Sequence, residues 1–165
     1  MGIVTRGILI WLLCACGCSP DRDSPPGEVS SPVPDGQPVV LEVDHQTRWR
    51  ELRIEGSTDL PDGAVVTYVV SHELGNQLPS NEWPAQNLIS DGTAVVQAGQ
   101  YTARVNTSYW SPGKVEIQVQ FPVAPQPDSV RTRYGEFGEH LAGPNVTPLG
   151  PTNIATTTHS FDWTR

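Results

Sequence analysis

The chain has 165 residues and a formal net charge of −8, from 10 basic and 18 acidic residues. Nucleic acid and anionic lipid headgroups both need a basic footprint, so this balance argues against electrostatic docking to either. Charged residues are only 17% of the chain, while 15 Gly and 16 Pro interrupt it often. That punctuation suits short strands joined by turns rather than long helices.

Residues 1–15 read as an export signal. Arg6 supplies the positive charge, Gly7 to Leu13 the apolar run, and small residues and cysteines follow. A transmembrane helix needs about 20 apolar residues, more than this run holds. All three cysteines, Cys14, Cys16 and Cys18, fall here, so the rest of the chain cannot form a disulfide scaffold. Leu13-Cys14-Ala15-Cys16 resembles the lipobox of bacterial lipoproteins, and Ala15-Cys16-Gly17-Cys18 also fits, with a weaker first position. The resemblance implies cleavage before the modified cysteine and acyl chains on it. Cys16 is the first choice and Cys18 the alternative. Several acyl chains on one residue would satisfy the requirement for more than one anchor, making the membrane a partner through lipid. Neither cysteine is followed by Asp, which in that family signals inner-membrane retention. An outer-membrane location is the expectation for a host with two membranes.

Residues 16–38 form a tether rich in Pro, Ser, Gly and Asp, expected to be extended and disordered. From Val39 the pattern turns to period two. Strands are expected over 39–43, 49–55, with Leu52 and Ile54 on one face, and 64–71. A hairpin with an Asp91-Gly92 turn is expected next, between the run around Leu88 and Thr93 to Gln97. Gln100 to Tyr109 alternates, with Tyr101, Ala103, Val105, Thr107 and Tyr109 on one face. Lys114 to Phe121 alternates too, with Val115, Ile117, Val119 and Phe121 inward. Ser111-Pro112-Gly113 makes these two a hairpin. One short helix is expected over 127–134, stopped by Gly135. Residues 147–165 read as a loose polar tail, in which Phe161 and Trp163 alternate as an added edge strand would.

About seven strands predict an all-β fold, an immunoglobulin-like two-sheet antiparallel sandwich over residues 39–146, with a small barrel as the rival. Gly56-Ser57-Thr58-Asp59-Leu60-Pro61-Asp62-Gly63 resembles a G-x-T-N-L-P-D-G segment of uncharacterised secreted bacterial β-sandwich domains. Gln126-Pro127, Tyr134-Gly135 and Gly138 to Gly143 resemble their closing portion. The resemblance implies a fold and no activity.

No catalytic motif stands out, and no cofactor or metal is implied. The turn carboxylates Asp59, Asp62 and Asp91 lack a calcium-loop spacing. Arg48, Arg50 and Arg53 are expected to solvate a strand or to pair with Glu42 and Glu55. Aromatics on loops are the better binding candidates: Trp83 in a polar loop, Tyr109 and Trp110 at a hairpin tip. The expectation is a lipid-anchored, non-enzymatic module of the cell envelope that binds a protein or a polysaccharide, or supports envelope structure. The alternative is a small enzyme or metal-binding protein using His72, His140 and nearby carboxylates.

Overall fold

Residues 36–164 are described by this computed structural model, so the expected signal segment and most of the expected tether, with Cys16 and Cys18, lie outside the described residues. The elements in chain order are β1 (Gln37–Pro38), β2 (Asp44–Arg48), β3 (Glu51–Ser57), β4 (Val65–His72) and the helical turn α1 (Glu73–Gln77). They continue with a 3-10 turn (Ser80–Glu82), β5 (Ile89–Val95), β6 (Gln100–Asn106), β7 (Gly113–Phe121) and α2 (Asp128–Tyr134). β8 (Leu141–Ala142), β9 (Val146–Leu149) and β10 (Thr152–Trp163) complete the set.

Two sheets face each other over one core. The larger has strand order β5-β4-β7-β10-β9, the smaller β2-β3-β6. β7 lies between β4 and β10, and its alternation is complete: Val115, Ile117, Val119 and Phe121 are fully buried. Burying each such side chain contributes about 1.5–3 kcal/mol. Leu52 and Ile54 of β3 face them from the smaller sheet, with Tyr101 and Val105 of β6 alongside. α2 stands where the sequence places it. Val130 and Tyr134 are its buried face, and Gly135 at φ 89° ends it. A third ladder pairs β1 with β8 in parallel, so the assembly is not antiparallel throughout.

Several expectations need correction. β1 takes in Gln37 and Pro38, so these two residues do not belong to the disordered stretch expected over 16–38. The first apolar run is not a strand over 39–43: Val39 and Leu41 are core residues flanking β1, and Leu41 makes only an isolated bridge to Thr58. Asp91-Gly92 is not a turn but the middle of β5. There Gly92 pairs with Tyr68 of β4, and a Cβ on it would lie 2.6 Å from the Tyr68 hydroxyl. The glycine is there for the ring that covers it, not for the bend.

β6 and β7 do not pair. β6 belongs to the smaller sheet beside β3, and β7 to the larger, so the connection over 107–112 crosses between sheets. Tyr109 leaves the inward set, 77% exposed at φ 68°. Residues 147–165 are not a loose tail. β10 is an interior strand, paired with β7 from Ala155 to Trp163 and with β9 from Thr152 to Ala155. The alternation of Phe161 and Trp163 is that of a strand, though not an edge one. The domain therefore runs past residue 146.

The Gly56–Gly63 segment joins β3 to β4 as turn chemistry dictates. Thr58 Oγ1 donates to the Val40 carbonyl (2.7 Å) and accepts from the Leu60 N–H (3.2 Å). Asp59 accepts from the Val40 N–H and Asp62 from the Ala98 N–H, so both carboxylates serve the backbone. Gly63 takes φ 87°.

Candidate functional site

Two loops meet at one end of the sandwich. The β2–β3 turn carries Trp49 and Arg50, the latter at φ 61°, and the crossover carries Thr107 to Trp110. The Thr107 N–H donates to the Arg50 carbonyl (3.0 Å), binding one loop to the other. Trp49 is 84% exposed. The Arg50 guanidinium lies 4.2 Å from the Trp49 ring centroid and 5.8 Å from that of Tyr109. A cation shared between two exposed rings keeps both loops in place and leaves its N–H edges to solvent.

These side chains border a groove of about 680 Å³, lined also by Thr47, Thr107, Trp110 and Trp163. Among the described residues its lining includes Arg48 and Arg50 and no acidic side chain, on a chain whose net charge is −8. Thr107 is buried, and its hydroxyl finds no hydrogen-bond partner among the described residues. A buried hydroxyl left unpaired costs about 1–3 kcal/mol, and this one is closed off from the groove. Tyr109 is also a wall of a second groove of about 490 Å³, which holds Trp83, Asn87, Asn106 and Ser108.

The three aromatics singled out from the sequence thus gather at this end but differ in kind. Tyr109 is a surface ring. Trp83 is half-buried, with its Nε1–H donated to the Leu78 carbonyl (3.0 Å). Trp110 is 2% exposed, packed edge-on against His72 and Trp163 with ring centroids 5.3 Å away in each case, and its Nε1–H goes to the Gln86 carbonyl. It is mainly floor. Trp49, the most exposed ring here, lies in the β2–β3 turn, whereas the sequence pattern starts a strand at 49. Its place next to three arginines was the available signal.

His72 is fully buried, and both ring nitrogens are engaged: Nδ1 accepts from the Leu74 N–H (3.1 Å) and Nε2 lies 3.1 Å from the Ser111 carbonyl. That arrangement caps α1 and leaves no lone pair for a metal. His140 is half-buried and meets Tyr134 through its backbone N–H. Arg53 pairs with Glu55 at 2.8 Å along its own strand, while Glu42 accepts from the Ser57 hydroxyl.

Among the described residues, one group of three potential ligands converges: Asp44, His45 and His159. His45 Nδ1 lies 2.9 Å from His159 Nε2. Burial first, then the neighbouring His159, lower the His45 imidazole below its ordinary value, against the opposing pull of Asp44. Sequence spacing could not show this group, because 114 positions separate the two histidines.

No protein-family model matches the chain, nor does any curated protein or solved structure.

Proposed function

We propose that the chain is an exported, lipid-anchored envelope protein whose immunoglobulin-like sandwich is a non-catalytic module that holds an acidic polysaccharide at its aromatic end. The anchor rests on the lipobox resemblance, with lipid on Cys16 or, as second choice, Cys18, and residues beyond it as spacer. The carrying observation for the ligand is the groove beside Trp49, Arg50 and Tyr109, cationic on an acidic chain. A sugar ring packs its C–H face on an exposed aromatic ring, and a uronate carboxylate pairs with guanidinium. The volume falls within the usual range for ligand sites, about 300–1,000 Å³, enough for a few sugar units.

Affinity electrophoresis of the soluble protein in gels containing acidic or neutral polysaccharides tests this. An acidic polymer should retard the protein, and Trp49→Ala or Arg50→Ala should abolish retardation with the fold intact. Equal retardation of wild type and both variants, or none by any polymer, refutes the reading. Capture of a protein through a crosslinker placed at Tyr109, with no polymer bound, would replace the ligand class.

A further inference from the structure

We propose that Asp44, His45 and His159 form a binding site for one divalent transition-metal ion, of which zinc is the representative, clamped between the two sheets. The site stands apart from the polysaccharide reading and needs none of the groove residues.

Its residues come from opposite layers. His45 is on β2 and pairs with Ile54, so it shares the inner face of the smaller sheet with Leu52 and Ile54. His159 is on β10 opposite Ile117, and Phe161 opposite Val115, so both share the inner face of the larger sheet. Inner-face positions of a sandwich normally carry apolar side chains. Here two imidazoles occupy them and meet across the gap, each partly shielded, with side chains 21% and 31% exposed. A filled core would place aliphatic groups there. A bare pair of imidazoles fits a site that is completed from outside.

The donor atoms already converge. His45 Nδ1 and His159 Nε2 are 2.9 Å from each other. Asp44 Oδ1 lies 3.7 Å from the first and 4.0 Å from the second. With metal–nitrogen bonds of about 2.0–2.1 Å, two nitrogens stand roughly 2.9 Å apart at a right angle and roughly 3.3 Å apart in a tetrahedron. The observed separation matches the first and needs only a small opening for the second. The Asp44 carboxylate is 80% exposed, so it can swing inward without disturbing the core. Two imidazoles and a carboxylate suit zinc, nickel or copper rather than magnesium or calcium, which prefer all-oxygen sets.

Orientation is built in as well. The His45 ring stacks on Phe161, centroids 3.6 Å apart and planes 17° from parallel, so its Nδ1 is held toward His159. The Asp44 carboxylate also accepts the His45 backbone N–H at 2.7 Å. Without metal, one of the two facing nitrogens carries the proton of their hydrogen bond. On binding, that proton moves to the far nitrogen of its own ring, so both near lone pairs point at the ion and no net proton is released from the neutral pair. Three protein ligands leave a fourth position for water or another donor.

Zinc titration by calorimetry tests the proposal. It uses the full chain with Cys14, Cys16 and Cys18 replaced by serine, so that no thiol competes. One equivalent should bind. His45→Ala and His159→Ala should each weaken binding by about tenfold or more. Asp44→Asn, at an exposed side chain, keeps the fold and should weaken it severalfold. Long-range nitrogen NMR should show His45 Nδ1 and His159 Nε2 as the metal-bound atoms. Substoichiometric binding, an unchanged affinity in Asp44→Asn, or zinc on other nitrogens overturns the site.

Discussion

Gly56→Ala should be among the costliest single methyl additions in this protein. Gly56 on β3 lies directly opposite Tyr101 on β6. The Tyr101 ring crosses over it so that the phenol donates to the Glu42 carbonyl at 2.5 Å. A Cβ on residue 56 would overlap both the ring end of Tyr101 and the Glu42 carbonyl oxygen. Tyr101 is 3% exposed, so the ring has nowhere to swing without moving its neighbours. Displacing it removes one hydrogen bond, about 0.5–1.5 kcal/mol, and adds overpacking of about 1–3 kcal/mol. Alanine recovers about 0.4–1 kcal/mol by restricting the unfolded chain. The net loss is roughly 0.5–4 kcal/mol, at its upper end a sizeable share of the 5–15 kcal/mol typical of a domain. Urea unfolding followed by tryptophan fluorescence measures it. Tyr101→Phe, which removes only the hydroxyl, should cost about 1 kcal/mol. The double variant should cost less than the sum, because phenylalanine has no hydroxyl to collide with the new methyl. A Gly56→Ala variant within about 0.5 kcal/mol of wild type, or strict additivity in the cycle, would show that the Tyr101 ring is not held over residue 56.

Removing residues 151–165 takes out β10 and should leave a chain without a cooperative unfolding transition, whereas trimming a loose tail would leave the transition unchanged. Trp110→Ala should lower stability by about 3–5 kcal/mol, as for a core aromatic, while Trp49→Ala at an exposed position should change it by less than about 0.5 kcal/mol; thermal denaturation of the two separates floor from surface. Burial, then the nearby Glu42, raise the Tyr101 phenol above its ordinary value. The folded protein therefore holds that proton more tightly than the unfolded chain, whose phenol titrates near pH 10. The resulting stability is complete below about pH 10 and is lost as pH rises further, so alkaline melts should steepen there and Tyr101→Phe should flatten them.

How far the sequence could be read depended on where the determining contact lay. The inward set of β7 and the helix α2 are specified by residues a few positions apart, and both stand as read. Only the end of β10 is legible, in the alternation of Phe161 and Trp163, because its other core-facing positions, Ala155, Thr157 and His159, are too small or polar to signal a strand without β7 beside them. The crossover from β6 to β7 has the same spacing and turn residues as a hairpin. What sends it to the other sheet is the burial of Trp110 against His72 and Trp163, a tertiary choice. Asp91-Gly92 misled for a related reason: its glycine answers to Tyr68 on the neighbouring strand rather than to a bend. At the aromatic end the sequence drew attention to Tyr109 and Trp83. It could not bring Trp49 to them, because the two loops are joined by the Thr107 to Arg50 hydrogen bond. The paired histidines needed both sheets in place.

The parallel ladder of β1 and β8 has a mechanical meaning. Tension arriving from the N-terminal side reaches the domain at Gln37, where the Gln37 N–H is bonded to the His140 carbonyl and the Val39 N–H to the Ala142 carbonyl. Gly36 sits tightly against Ala142 just ahead of them. A pull along β1 loads those bonds together in shear rather than peeling them one at a time. Behind them Val39, Leu41 and Leu141 are wedged into the core. With the chain anchored as proposed, the short ladder would act as a clasp, bearing drag on the sandwich at its entry point before it reached the sheets that hold the two candidate sites.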